Sequence, residues 1–265
     1  MNKATETNKA IEMNKATVRD IYEYLNEIAP FDTQCHWDNS GFLIGDENKE
    51  VTKILFSLDI TPAAVEAARE CKAELIVSHH PVIFHPLESV MKGSAVYALI
   101  ENGISAICCH TPLDIAVGGV NDVLAKMLSL KEIRRVEGAG EGMCRIGETE
   151  APVAPGEFAA FISEKLNTGV KFSKGGREIR RVMVCGGAGA EFLPIAKENG
   201  CQAYVTADVK HHEFLEAQRM GITLFDAGHY ETEYPVVPLL AERVRGKFSV
   251  ESVTFDSAPC SYIAR

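Results

Sequence analysis

Two stretches of this chain, residues 53–114 and 181–233, pass through the same order of structural signals. Each reads as strand, helix, strand, helix, a glycine stop and a final strand. A histidine then follows, with a carboxylate four residues later: His110 and Asp114 in the first stretch, His229 and Glu233 in the second. Each stretch also has a double histidine near the end of its middle strand, His79-His80 and His211-His212. Strands that alternate with helices favour parallel pairing with helical crossovers. The order therefore predicts an α/β fold built as two related α/β lobes with mainly parallel or mixed sheets. In such sheets ligands bind at the carboxyl ends of strands, which is where His79-His80, His110 and His229 fall.

The individual signals are local. Residues 18–29 read as a helix with Val18, Ile21, Leu25 and Ile28 on one face, Thr17 and Asp20 at its start and Pro30 at its end. Residues 53–58, 75–78 and 104–109 read as strands, and 95–102 as a helix stopped by Gly103. Thr61-Pro62 opens a helix running to residue 71, with proline tolerated in the first turn. In the second half, 181–185, 203–206 and 222–226 read as strands and 191–199 and 212–220 as helices, before a helix near 236–245 and a strand at 249–255. Residues 130–180 fit the alternation poorly and are expected to be an insertion or a connection between lobes. The expected division is a frayed, near-repetitive extension at 1–15 with Met13 as an alternative start, a first lobe at 16–130 and a second at 131–265. The final strand is a candidate to pack back on the first lobe.

Composition narrows the function classes. The net charge of −10 argues against broad binding to nucleic acid or acidic membrane. No apolar run has the length of a membrane span, roughly 18 residues. Eight cysteines without a CxxC pair read as reduced, mostly buried thiols in a cytoplasmic protein. Cys108 and Cys109 are expected to point to opposite faces of their strand. The basic run 171–181, with Lys171, Lys174, Arg177, Arg180 and Arg181, reads first as a solvated strand edge and second as an anion-binding rim.

The histidines and carboxylates carry the chemistry. His79 and His80 are consecutive, so in the turn before Pro81 each can serve one of two neighbouring metals. Asp114 and Glu233 can bridge, since a carboxylate offers two oxygens. A nitrogen and oxygen donor set suits Zn, Fe or Mn. Pro112 disfavours a helix through 110–114, which places His110 and Asp114 on a loop; His110 is either a ligand or a group that orients Asp114 or substrate. A lone histidine in such a turn is more often structural, and the case for a metal rests on the clustering. Gly186-Gly187-Ala188-Gly189 reads as a tight turn or a phosphate cradle; Phe192 stands where a dinucleotide fingerprint requires a small residue. His211 and His212 are helix-start or cavity residues. Trp37-Asp38-Asn39-Ser40-Gly41 is a packed turn, with Trp37 in the core and Asp38 as a cap, or part of the site wall.

Several of these motifs occur together in one known family. Trp37-Asp38-Asn39-x-Gly41, Ser78-His79-His80-Pro81, His110-Thr111-x-Leu113-Asp114 with Gly118-Gly119-Val120-Asn121-Asp122, and Gly228-His229-x-x-Thr232-Glu233 resemble the dinuclear metal centre proteins called GTP cyclohydrolase I type 2 homologues, also known as the NGG-interacting-factor-three-like family. The resemblance spans residue 17 to the C-terminus and is to a short member, without the domain that longer members insert. It implies two α/β lobes with a dinuclear site in the cleft between them and a homo-oligomeric, hexameric ring. It implies two divalent metal ions (Zn, Fe or Mn) on His79, His80, Asp114, His229 and Glu233, with His110 as catalytic proton shuttle. It also implies a small-molecule substrate, GTP or another nucleotide, opened by a metal-activated water. The alternatives are a non-catalytic metal-handling or regulatory binding protein and, more weakly, a dinucleotide binder using Gly186–Gly189.

Overall fold

The computed structural model describes residues 16–137 and 142–261; the expected extension at 1–15 lies outside them. The first half contains β1 (Ala16–Thr17), α1 (Val18–Ile28), β2 (Gly41–Ile44), β3 (Glu50–Val51), β4 (Lys53–Ser57), α2 (Pro62–Cys71), β5 (Leu75–Ser78), α3 (Ala95–Asn102), β6 (Ser105–Cys108), α4 (Thr111–Ile115) and α5 (Val120–Met127). The second half contains β7 (Lys131–Arg135), β8 (Arg145–Val153), α6 (Pro155–Leu166), β9 (Lys171–Phe172), β10 (Ile179–Ala188), α7 (Leu193–Glu198), β11 (Ala203–Ala207), α8 (His211–Met220), β12 (Thr223–Asp226), α9 (His229–Glu233), α10 (Val236–Lys247) and β13 (Glu251–Phe255).

Two main sheets organise these elements in a mixed α/β architecture, beside a two-stranded antiparallel pair of β1 and β3. One has the order β13-β4-β5-β6-β2, the other β7-β8-β10-β11-β12-β9. In each, three consecutive strands run parallel (β4-β5-β6 and β10-β11-β12) and a short antiparallel strand flanks the third (β2 and β9). The last strand of the chain, β13, crosses back and pairs in parallel with β4. Residues 130–180 are no mere connection. β8 pairs antiparallel with β10, β7 with β8, and β9 with β12, so this segment edges the second sheet on both sides. Antiparallel edge strands need no helical crossover, which is why the alternation breaks there.

Local signals place most elements. Thr17 Oγ1 accepts from the Asp20 amide and Asp20 accepts from Thr17, a reciprocal cap on α1. Thr61 caps α2 with Pro62 in the first turn, and Gly103 ends α3 with a φ of 62°. Each sheet buries both faces. Along β4, Ile54 and Phe56 face the core under α1 and α10, while Leu55 faces α2 and α3. Along β10, Val182 and Val184 face α6, while Met183 and Cys185 face α7 and α8. Cys108 and Cys109 point into different cores, as expected for adjacent strand-end residues. Helix α5 belongs to both lobes: Val120 and Val123 pack into the first core, Leu124 and Ala125 into the second. The buried Arg145 of β8 pins this junction. Its guanidinium pairs with Asp122 and donates to the Ile115 carbonyl at 2.8 Å.

Two local readings are corrected. Residues 111–115 form a helix, α4, because Pro112 lies in its first turn, where its missing N–H costs nothing. Gly186 and Gly187 do not begin a turn, since β10 continues through Ala188 with a shift in its pairing to β11. No helix among the described residues is long and apolar enough to cross a membrane.

Candidate metal centre

The strand ends of the two sheets meet at one cluster. His79 and His80 directly follow β5, and His110 caps the start of α4 after β6. His229 and Glu233 sit on the one-and-a-half-turn helix α9 that follows β12. A spacing of four on a helix puts both side chains on one face, and His229 Nε2 lies 3.1 Å from Glu233 Oε2. Across the lobes, His80 Nε2 lies 3.0 Å from that same oxygen, and His79 Nε2 lies 3.6 Å from Asp114 Oδ1 and 3.8 Å from Glu233 Oε1.

These atoms form two overlapping groups, each with ligand atoms within 4.8 Å of one another: His79, Asp114 and Glu233, and His80, His229 and Glu233. His110 joins a third group with His79 and His80. All six predicted site residues therefore come together, with Glu233 common to both carboxylate-containing groups. His79, Asp114 and Glu233 are buried, whereas the His229 side chain is 36% exposed, so the cluster is closed at one end and open at the other.

Each of the four cluster histidines is aimed by an oxygen behind it. His79 Nδ1 lies 3.1 Å from the Cys109 carbonyl, His80 Nδ1 2.7 Å from Asp59, His110 Nδ1 2.8 Å from Asp38 and His229 Nδ1 2.7 Å from Asp208. Each leaves Nε2 for the centre. An acceptor on the outer ring nitrogen is how metal-ligating histidines are usually fixed in tautomer and orientation. The sequence reading missed Asp59 and Asp208. Their signal was a carboxylate immediately past a parallel strand, after β4 and β11. Asp38, read as a cap, also accepts from Thr111 and Ser40 and so ties its loop to the site.

The electrostatics ask for a cation. Asp114 Oδ1 and His79 Nε2 are buried without a hydrogen-bond partner, while His80 and His229 crowd Glu233 Oε2 at 3.0 and 3.1 Å. Burial, and then the charge of Glu233, push Asp114 well above the usual carboxylate range. Burial acts the same way on Glu233 but is outweighed by His229, His79 and His80, which hold it well below its ordinary value. Burial lowers His79, favouring the neutral imidazole that ligation needs. For His80, Asp59 and Glu233 outweigh burial and raise it to about 10; for His229, Glu233 and Asp208 raise it to about 9. Unpaired buried oxygens cost free energy that a bound cation recovers. The residues present thus fit one or more metal ions.

Glycines make room for the carboxylate. Gly187 has a φ of +62°, its N–H donates to Thr232 Oγ1 at 3.0 Å, and a Cβ there would overlap Glu233 Oε1. Gly186 N–H donates to Asn121 Oδ1 at 2.7 Å, while Asn121 Nδ2 donates to the Asp114 carbonyl, linking both carboxylate segments. The glycine run is therefore a close-approach surface for Glu233, neither a plain turn nor a phosphate cradle.

Other candidates fall elsewhere. His211 and His212 are exposed at the start of α8 and belong to none of the three groups. Trp37 is not core: it is 46% exposed, beside His110. Arg180 and Arg181 lie at the start of β10, at the end away from Gly187, and pair with Glu148. Lys171 pairs with Asp226. The solvated-edge reading describes these three basic residues better than the anion rim.

The Duf34/NIF3 family (NGG1p interacting factor 3) matches residues 16–260. This chain belongs to that family. A Nostoc protein named GTP cyclohydrolase 1 type 2 homolog is 35% identical over 221 residues, covering 80% of this chain and 82% of its own length. A Helicobacter pylori protein named GTP cyclohydrolase 1 type 2 is 33% identical over 235 residues, covering 86% and 91%. Among solved structures, a Staphylococcus aureus hypothetical protein superposes with a TM-score of 0.87 at 29% identity, over 94% of this chain and 100% of that one. The Duf34/NIF3 fold is thus shared over nearly the whole chain.

Proposed function

We propose that the chain is a dinuclear-metal-dependent hydrolase acting on a nucleotide or a related heterocycle, with chemistry of the GTP cyclohydrolase type. The observation that carries the reading is that two groups of possible ligands meet on the buried Glu233, His79 with Asp114 on one side and His80 with His229 on the other, each with ligand atoms within 4.8 Å of one another. One ion would be held by His79, Asp114 and Glu233 and a second by His80, His229 and Glu233, with Glu233 shared. The nitrogen and oxygen donors suit Zn, Fe or Mn. Bound there, two ions would supply activation of water and stabilisation of developing negative charge.

The remaining roles belong to the chain's own residues. Asp38 holds Nδ1 of His110, which leaves Nε2 to take up or deliver a proton at the mouth. Asp59 and Asp208 hold His80 and His229 in register. The names carried by the Nostoc and Helicobacter relatives support a GTP-like substrate. All eight cysteines are thiols, most of them buried, which suits a cytoplasmic setting. In this reading the chain assembles as a hexameric ring, as the family resemblance implies. Light scattering at a single hexamer mass supports it, and a monomer at working concentration contradicts it.

A second reading is favoured by the exposure of His229, which gives ions a way in and out: a metal-handling or regulatory binding protein. The experiment that separates the two incubates protein loaded with Zn, Fe or Mn with GTP and other nucleotides and follows products by mass spectrometry. The hydrolase reading expects a hydrolysed product that disappears in Glu233→Ala. Absence of turnover across metals and nucleotides overturns it in favour of metal handling.

A further inference from the structure

Beside the cluster stands a group of aromatic rings that neither metal binding nor proton transfer uses. Trp37 and Phe84 are 46% and 39% exposed, although burying either would release a large apolar surface from water. The Trp37 ring centroid lies 5.8 Å from that of His110 and 6.1 Å from that of Phe84, and Phe84 lies 6.2 Å from His110. His110 in turn lies 5.3 Å from His79 and 5.6 Å from His80. A continuous aromatic wall therefore runs from the proposed ligands outward to solvent.

The wall is built rather than incidental. Asp38, next to Trp37, bonds to His110 and to the Thr111 side chain and amide. Thr111 Oγ1 in turn accepts from the Cys35 amide at 3.0 Å. Asn39 Nδ2 donates to the Ile83 carbonyl at 2.6 Å, fastening the Trp37 loop to the residue before Phe84. The ring of His85 packs against Phe84 at 4.7 Å. Trp37 and Phe84 are inclined at 46° instead of stacking on each other, and both keep part of their surface exposed beside His110.

We propose that Trp37 and Phe84 form a stacking platform for the flat heterocycle of the substrate, a nucleobase-class ring, and hold it against His110. Aromatic faces stack on nucleobases irrespective of hydrogen-bonding pattern. A ring captured there has one edge toward His110 and the His79-His80 pair and the rest of the molecule toward solvent. Trp37 and Phe84 are thus specificity-determining residues: they select for a planar group over a sugar phosphate alone. The assignment rests on the hydrolase reading for the position of the ring, though capture of the ring does not require turnover.

Trp37 is the only tryptophan in the chain, so its fluorescence reports on this corner alone. Guanosine, uridine and ribose 5-phosphate are titrated into metal-loaded protein, with calorimetry in parallel. Guanosine is expected to quench Trp37 saturably, uridine more weakly, and ribose 5-phosphate not at all. Trp37→Ala should raise the calorimetric Kd for guanosine about tenfold, the effect of losing one base–aromatic stack. Trp37→Phe should restore most of the loss, and Phe84→Ala should weaken binding several-fold. The platform is overturned if guanosine fails to bind, if its Kd is unchanged in Trp37→Ala, or if ribose 5-phosphate quenches as strongly. Saturable guanosine quenching in a protein that turns over no nucleotide supports the platform and counts only against the hydrolase reading.

Discussion

Gly187 leaves the space that Glu233 occupies: a Cβ on the glycine would overlap Oε1 of the carboxylate and come within 3.2 Å of His229 Nε2. The backbone there also has a φ of +62°, which costs a side-chain-bearing residue about 1–2 kcal/mol. Gly187→Ala is therefore expected to lower stability by about that amount and to displace Glu233, reducing bound metal. Gly175 is the control, with a φ of +85° and nothing within 4 Å of an added Cβ. Gly175→Ala should lower the melting temperature and leave the metal content intact. Equal metal loss in both variants would contradict the close-approach role.

Removing an orienting carboxylate tests the outer ring. Asp59→Asn and Asp208→Asn keep volume but weaken the hold on His80 and His229. Each is expected to weaken metal binding by about 10–100-fold, as is usual when such partners are lost. Asp38→Asn acts on His110 instead, so it should slow turnover more than it lowers metal content. Competition with a chromophoric chelator reads the first effect, and steady-state kinetics the second.

Proton linkage gives a third prediction. His80 at about 10 and His229 at about 9 are both raised above the ordinary histidine value in the metal-free protein. The stability they contribute is fully present below about 6.5, the unfolded value, and is lost as pH rises through 9 and 10. Asp114, also raised, acts in the same sense: its contribution is lost as pH rises through its folded value. Ligation needs unprotonated imidazoles, so metal binding must displace these protons. Apparent affinity should rise by roughly tenfold per pH unit for each proton released between pH 6 and 8. Calorimetry in buffers of different ionisation enthalpy counts the protons; a count of zero contradicts the linkage.

Asp114→Asn should separate stability from binding. In the metal-free protein, burial and Glu233 disfavour the ionised Asp114, and an amide removes that charge from the buried pair. The metal-free variant is expected to melt at or above the metal-free parent at pH 8 while gaining little on metal addition. A variant that melts lower when metal-free and gains normally on addition would contradict both roles.

The parts of this molecule that were legible in the sequence are those set by local chemistry. Thr17 with Asp20, Thr61 with Pro62 and Gly103 announce their helix ends because a cap needs only a few neighbouring residues. The histidines after β5, β6 and β12 were legible because apolar runs mark the strands and parallel sheets put ligands at their ends. What escaped depends on pairing across the chain. Residues 130–180 edge the second sheet through antiparallel contacts that leave no periodic signal of their own. Pro112 looked like a helix breaker because its position in the first turn of α4 is fixed by where β6 ends. Gly187 looked like a turn because the carboxylate it admits lies far along the chain.

The most direct measurement is the metal content per chain of anaerobically purified, metal-reconstituted protein and of its Glu233→Ala variant, by elemental mass spectrometry. Because Glu233 belongs to both groups that include a carboxylate, the account predicts two divalent ions per parent chain and near-background metal in a variant that keeps its secondary structure. Two ions retained by Glu233→Ala, or none bound by the parent, would contradict it.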